Sequence, residues 1–180
     1  LQQELAIPMV YVTHSPDEVA RLASHLVVLE QGRALASGPL GDTLSRLDLP
    51  VRLGEDAGVV IDACVGSIDP QWHLARMDFD GGHLWTRDPQ LPAGTHARVR
   101  ILARDVSLAR DEPGRSSIQN VMHGRIDGIA DEEAPGLALV RVKVGSAAIL
   151  ARVTRRSLAE LGLQVGDRVW VQVKSVALAR

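Results

Sequence analysis

Aromatic residues and excess positive charge are both scarce in this sequence. Aromatics make up 3% of its 180 residues, and the formal net charge is −2 at pH 7. Proteins that bind single-stranded nucleic acid need aromatic stacking platforms within a basic groove, so this composition argues against such a protein. Apolar residues still make up 46% of the chain. That fraction is enough to form hydrophobic cores and argues against general disorder.

Cysteine and long apolar runs are scarce as well. Cys64 is the single cysteine, so it can form no internal disulfide. We expect it to be a small, buried apolar residue of a protein in a reducing cytoplasm. No apolar run approaches the roughly 18 residues that a membrane-spanning helix needs. We therefore expect contact with a membrane to be made through partner proteins.

The first 47 residues have an α/β pattern. Residues 1–5 indicate part of a helix, so we expect the chain to continue a longer protein on its N-terminal side. The apolar run at residues 9–12 predicts a short buried strand. Ser15, Pro16 and Glu18 then predict a helix start, in which Ser15 is the N-cap and Glu18 closes a capping box.

A predicted hairpin follows this helix. It consists of strands at residues 26–29 and 33–37 around a turn at Gly32, and a short helix at residues 42–47 comes after it. Pro50 and Gly54 then favour a linker at residues 48–57.

Short alternating runs dominate from about residue 58, where helical periodicity largely disappears. They predict strands at residues 59–65, 73–79, 83–86, 97–103, 121–129, 137–144, 147–153 and 168–173. Many short strands separated by turn residues are typical of a small barrel or sandwich.

This β-rich region contains an internal repeat. Residues 98–110 match residues 168–180 without a gap, 70 positions apart, and six of these thirteen residues are identical. A repeated unit of this size predicts two similar barrel-like halves. We expect them to pack together, because each alone would bury little surface.

His14 lies between the predicted strand and the predicted helix start. α/β folds bind ligands at such points, and the free N–H groups of a helix start favour phosphate. Taken alone, a histidine here is more simply an ordinary turn residue. However, the segment Tyr11-Val12-Thr13-His14-Ser15-Pro16-Asp17-Glu18, with the strand and glycine hairpin after it, resembles the switch-histidine segment of ABC ATPases. The resemblance implies that His14 is the catalytic, nucleotide-binding residue that reaches the γ-phosphate.

Other ABC motifs are absent from the sequence. It has no GxxxxGK[ST] phosphate loop, no LSGGQ signature and no apolar strand ending in Asp-Glu before His14. ABC chemistry needs these motifs to hold Mg²⁺ and nucleotide. We therefore expect the longer parent chain to bind ATP and Mg²⁺ and to hydrolyse ATP, and these 180 residues alone to be inactive.

Three segments near the C-terminus are rich in hydrogen-bond donors: residues 116–120, 154–157 and 174–175. A tetrahedral oxyanion such as molybdate only accepts hydrogen bonds, so its site needs hydroxyls, amides and one or two cations. A structural explanation is also available, because Ser157 and Glu160 form a capping box that predicts a short helix ending at Gly162. The two roles can coexist.

The three segments also match a known pattern. Ser117-Ile118-Gln119-Asn120, residues 154–162 and Lys174-Ser175 resemble the conserved segments of molybdate-binding (Mop, or transport-associated OB) domains, and the resemblance covers residues 113–180. It implies an oxyanion site between two subunits, built from Ser117, Gln119, Lys174 and Ser175 of one and Thr154 and Ser157 of the other. Gln119 stands where the family often has Arg, which removes a cation from the site.

The repeat offers an internal comparison for this site. Lys174-Ser175 aligns with Arg104-Asp105. In the first half, Asp105 would therefore place a carboxylate at the position equivalent to the anion site. Repulsion between the carboxylate and a bound anion would cost several kcal/mol if the site is poorly solvated. We therefore expect the first half to be structural and only the second half to bind.

Together, the resemblances imply the ATP-binding subunit of a molybdate ABC importer. The implied fold is an α/β remnant of an ABC nucleotide-binding domain at residues 1–47, a linker at 48–57, and an all-β regulatory domain of two OB-like halves at 58–112 and 113–180. The implied ligand is molybdate or tungstate. A second copy of the chain and membrane-spanning permease subunits are the implied partners, at the cytoplasmic face of the inner membrane.

Two other interpretations stay open. The chain could belong to an importer of another solute, with the β-rich domain acting only as a dimer spacer, or it could be an OB-type nucleic-acid binder. Elsewhere, residues 131–133 predict a solvated hairpin loop. Scattered histidines without metal-ligand spacing are expected on the surface, namely His73, His83, His96 and His123.

Overall fold

A helix and a hairpin form the N-terminal part of the computed structural model, which describes residues 8–49, 57–132 and 134–179. The elements are α1 (Pro16–Leu22), β1 (His25–Glu30), β2 (Arg33–Pro39) and α2 (Leu40–Leu44). The predicted N-cap of α1 is confirmed, because the Ser15 Oγ accepts a hydrogen bond from the Glu18 N–H at 3.4 Å. The predicted capping box is wrong, because the Ser15 N–H donates to Thr13 Oγ1 and the Glu18 carboxylate also bonds to Thr13. The hairpin is also confirmed, and α2 lies slightly earlier than predicted.

The prediction of a buried strand at residues 9–12 is wrong. These residues have no regular secondary structure, and Val10 and Val12 are 94% and 88% exposed. A strand needs a neighbouring strand to pair its N–H and C=O groups. No strand among the described residues lies beside this segment, so its apolar side chains face outward.

Two five-stranded antiparallel sheets form the β-rich region. Its strands are β3 (Gly58–Asp69), β4 (Leu74–Phe79), β5 (Gly82–Arg87), β6 (His96–Leu102), β7 (Val106–Ala109), β8 (Asn120–Asp131), β9 (Leu137–Val144), β10 (Ala147–Thr154), β11 (Arg168–Val173) and β12 (Ala177–Leu178). The first sheet has the order β12-β6-β3-β4-β5 and the second β10-β9-β8-β11-β7. Every predicted strand of this region is present, and β7 and β12 are additional strands. The predicted linker falls mostly on residues 50–56, which lie outside the described residues.

The two halves of the repeat exchange their last strands. β7 follows β6 in the chain but pairs with β11 in the second sheet. β12 follows β11 but pairs with β6 in the first sheet. The exchanged strands come from matching parts of the repeat. The exchange joins the two sheets reciprocally through backbone hydrogen bonds.

Both sheets pack their apolar faces into one core. Its fully buried members include Val65 and Val99 of the first sheet and Val140 and Val171 of the second. Alternation along each strand sends the intervening residues outward. Cys64 precedes Val65 in β3 and is only half-buried, so the expectation that it is buried is wrong.

Asn120 is a buried polar residue that links the two sheets. Its Oδ1 accepts from the Trp85 N–H at 2.6 Å, and its Nδ2 donates to the Trp85 carbonyl at 3.0 Å. Both bonds go to the backbone of β5, the edge strand of the first sheet. Asn120 therefore fixes where β8 begins.

The N-terminal part contacts both sheets through arginines. Arg98 Nη1 donates to the Ala23 carbonyl at 2.6 Å, and Arg100 pairs with Asp17. Arg141 of the second sheet donates to the Ser45 carbonyl at 3.5 Å. Within the described residues, no helix is long and apolar enough to cross a bilayer.

Candidate oxyanion site

Four of the predicted site residues lie together at one end of the second sheet. Asn120, the first residue of β8, is the register partner of Val173, the last residue of β11. Gln119 and Lys174 are the next residues outward from this pair, on strands about 4.8 Å apart. Ser117 and Ser175 lie within two residues of them. The tertiary structure thus groups segments that are more than 50 positions apart in the sequence.

Hydrogen bonds donated by backbone N–H groups set the shape of this end of the sheet. The Ile118 N–H donates to Ser116 Oγ at 3.1 Å, which forms a tight turn before β8. The Lys174 N–H donates to the Asp105 carbonyl at 2.8 Å. The side chains of the four site residues are exposed and make no hydrogen bond with other described residues, so their donors are available to a ligand.

The other predicted pair, Thr154 and Ser157, lies at the start of the short helix α3 (Arg155–Glu160). The N-cap is Thr154, whose Oγ1 accepts from the Ser157 N–H at 3.0 Å. The two hydroxyl oxygens are 2.8 Å apart. The predicted capping box of Ser157 and Glu160 is therefore wrong. β10 runs directly into the helix at Thr154, which leaves Ser157 inside the first turn.

Glu160 instead pairs with Arg156 along the exposed side of α3, where Nε and Oε1 are 2.7 Å apart. The end of the helix is as predicted, with Gly162 in the left-handed region at φ 57°. Glycine is suited to this position because it has no Cβ to clash with the following carbonyl.

The two groups of site residues lie at opposite ends of the second sheet. β10 runs parallel to β8 because each is antiparallel to β9, so Thr154 lies at the Asp131 end of β8. An ion pair between Arg155 and Asp131 confirms this placement. β8 has 12 residues, which corresponds to at most about 40 Å at roughly 3.3 Å per residue. One chain therefore does not bring both groups around one small anion.

The loop after β8 is less solvated than predicted. Arg152 Nη2 and Glu132 Oε1 are 2.8 Å apart, and their side chains are only 14% and 7% exposed. The prediction of a solvated loop is thus wrong for Glu132. The buried pair holds the end of β8 against β10, close to Thr154.

The repeat brings its two matching segments side by side. The hydrogen bond between the Lys174 N–H and the Asp105 carbonyl joins Lys174-Ser175 to Arg104-Asp105. This contact follows from the strand exchange, because β7 begins at Val106 opposite Val173. Residues assigned from the sequence to the first half therefore border the candidate site of the second half.

His14 lies away from the Gln119 end of the second sheet. It is exposed, directly precedes the capped start of α1, and lines a cavity of about 310 Å³ between the N-terminal part and the β-rich region. Asp131 and Leu150 line the same cavity. His14 and the predicted oxyanion residues near Gln119 thus form separate sites.

One basic surface was missed by sequence reasoning. Arg125 and Lys143 face each other on β8 and β9, and Arg168 continues the row on β11. The basic residues alternate with apolar ones in each strand, but only the pairing register shows that they meet. The histidines predicted to be on the surface are exposed, and one of them, His123, lies beside this row.

The β-rich region is similar to a known domain family and to a solved structure. Residues 116–179 match the TOBE domain family, and they lie within an all-β architecture compatible with OB-like halves. In structure, the chain resembles the cytoplasmic molybdate-binding protein ModG, crystallised with molybdate bound, with a TM-score of 0.57 and 26% identity over 73% of this chain and 97% of that one.

More particular relatives share nearly the whole sequence. The chain is 63% identical over 178 residues to the molybdenum import ATP-binding protein ModC of Methylococcus capsulatus, and 57% identical to that of Thiobacillus denitrificans. Each match covers 99% of this chain and 50% or 49% of the relative. The chain thus spans about half the length of these relatives. The predicted resemblance to ATP-binding subunits of molybdate importers is confirmed.

Proposed function

We propose that the chain is the oxyanion-binding part of the ATP-hydrolysing subunit of a molybdate or tungstate importer. Its similarity to molybdenum import ATP-binding proteins over 99% of its length supports this assignment. The fold similarity to a molybdate-binding protein supports the ligand. In the complete subunit, ATP and Mg²⁺ occupy a nucleotide-binding domain to which residues 1–47 belong. Permease subunits anchor the assembly at the cytoplasmic face of the inner membrane.

His14 is proposed to sense the γ-phosphate in that domain. Its exposure and its position directly before the N-cap of α1 support this role, because a ligand can approach it freely. The hydroxyl of Thr13 orders the segment by accepting from the Ser15 N–H at 3.0 Å. Phosphate binding itself needs residues beyond this sequence.

The oxyanion is proposed to bind between two copies of the chain. The single observation that carries this proposal is the placement of the donor groups at opposite ends of β8. Ser117, Gln119, Lys174 and Ser175 of one copy then complete a shell with Thr154 and Ser157 of another. Lys174 supplies the positive charge, and hydroxyls and the Gln119 amide supply directed hydrogen bonds.

Sharing an anion between copies provides a means of regulation. An anion that binds only when two domains are close stabilises the closed arrangement by its binding free energy. A high cytoplasmic concentration of oxyanion would thereby bias how far two ATP-binding subunits separate. The transport cycle depends on that separation, so product accumulation would slow import.

Calorimetry of the protein with molybdate, tungstate and sulfate tests the proposal. We expect molybdate and tungstate to bind with similar stoichiometry and sulfate to bind more weakly. A folded, dimeric protein that binds none of the three anions would refute the oxyanion site and favour the role of a dimer spacer.

A further inference from the structure

Three cations lie in one row across the outer face of the second sheet. Arg125 of β8 is the register partner of Lys143 of β9 on one side and of Arg168 of β11 on the other. Adjacent strands are about 4.8 Å apart, so the row spans about 10 Å. Like charges in directly opposed positions destabilise a sheet. A bound anion would offset this cost.

The row forms one wall of a surface depression of about 520 Å³. Arg110, His123 and Trp170 line it as well, and none of the described residues that line it carries a carboxylate. His123 and Trp170 are register partners in the next row, with ring centroids 3.4 Å apart and planes inclined at 37°. The depression is therefore basic along one side and bounded by aromatic rings on another.

The charges of this depression are only partly neutralised. Arg110 pairs with Asp167 at 2.8 Å, and Arg125 Nε donates to the Gly166 carbonyl at 3.0 Å. Lys143 and Arg168 form no ion pair with any residue in the described parts of the chain. Among the described residues, these two side chains thus bring positive charge to the depression with no ion-pair partner.

We propose that this basic depression binds a compact anion with several linked phosphate groups, such as an inorganic polyphosphate or a nucleoside triphosphate. Cations spread over three strands match a chain of phosphates better than a single tetrahedral oxyanion. Each cation can then form a charge-assisted hydrogen bond to a different phosphate. The one aromatic pair and the low aromatic content argue against a nucleic-acid strand, which needs successive stacking platforms.

This site is separate from the candidate molybdate site. Arg168 is the first residue of β11 and Lys174 follows the last, so the two residues are six positions apart in the sequence. At about 3.3 Å per residue, they are about 20 Å apart. The two sites can therefore be tested independently in the same protein.

The test is a titration of the protein with tripolyphosphate, ATP, adenosine and molybdate. We expect Lys143→Ala and Arg168→Ala each to weaken tripolyphosphate and ATP binding by about ten- to a hundredfold, and to leave molybdate binding unchanged. Adenosine alone should not bind. ATP affinity above that of tripolyphosphate would identify a nucleotide, with its base against Trp170, and equal affinities would identify the phosphate chain alone.

Arg33→Ala is the matched control, because it removes one exposed arginine from the distant hairpin. It should leave every affinity unchanged. Equal weakening by Arg33→Ala would show a diffuse charge effect and overturn the site, as would an absence of tripolyphosphate binding at millimolar concentration. The proposal also fails if a single-stranded oligonucleotide displaces tripolyphosphate and loses affinity in the same two variants.

Discussion

Replacement of Lys174 by alanine is the sharpest test of the oxyanion site. Lys174 is the cation that we place against the anion, and its side chain is exposed beyond the end of β11. Its structural contribution is the backbone hydrogen bond to the Asp105 carbonyl, which alanine retains. We therefore expect the unfolding transition of Lys174→Ala to match that of the unmodified protein.

Molybdate affinity should fall substantially in the same variant. A hydrogen bond to a charged group contributes roughly 1.5–3 kcal/mol, which corresponds to about ten- to a hundredfold in affinity. Because Lys174 is exposed to solvent in a single copy, we expect a loss of affinity near the lower end of that range. A second copy that covers Lys174 would raise the loss towards the upper end. Calorimetry at constant ionic strength measures the change. Ser175→Asp should weaken binding further by placing a carboxylate beside the anion, and Gln119→Arg should strengthen it by restoring a guanidinium.

Arg104→Ala is the matched control, because Arg104 in the first half of the internal repeat aligns with Lys174 in the second half. We expect it to change molybdate affinity little. If Arg104→Ala abolished binding while Lys174→Ala did not, the site would belong to the first half and the reasoning would be refuted.

Three further predictions concern assembly, stability and catalysis. Analytical ultracentrifugation should show that molybdate shifts the protein towards a dimer, since the anion needs donors from two copies; a strict monomer with and without molybdate at high concentration would contradict a shared site. Asn120→Ala should lower the free energy of unfolding in urea by about 1–3 kcal/mol, because it removes the buried Asn120 amide and leaves the partly buried N–H and carbonyl of Trp85 without their partner; an unchanged midpoint would mean that water replaces the amide. Purified protein should show no ATP turnover above buffer, and activity that survives stringent purification would contradict the need for a phosphate loop.

Local patterns predicted most of the elements correctly. β9 and β11 have the predicted bounds, and α1 begins at the predicted cap, because alternation and capping depend on neighbouring residues alone. The segment at residues 9–12 shows the limit of such patterns. Its β-branched, apolar composition favours a strand, but a strand forms only where another strand offers hydrogen bonds.

The candidate site was predictable in its residues but not in its geometry. Donor-rich segments indicated Ser117, Gln119, Lys174 and Ser175, and the structure brings these four to one end of the second sheet. The sequence did not show that Asp105 lies beside Lys174. That contact exists because β7 pairs with β11 of the second sheet and not with β6, which precedes it in the chain. Such pairing joins strands that are far apart in the sequence.

The sequence by itself determined the repeat, the strand-rich character and the chemical type of the donor segments, because these properties reside in residue type and short-range spacing. Only the tertiary structure decided which strands exchange and which side chains share a surface. Lys143, Arg125 and Arg168 are separated by 18 to 43 positions in the sequence, yet form one row. Strand register sets that proximity, and register arises from burying one common core between two sheets, which no local pattern specifies.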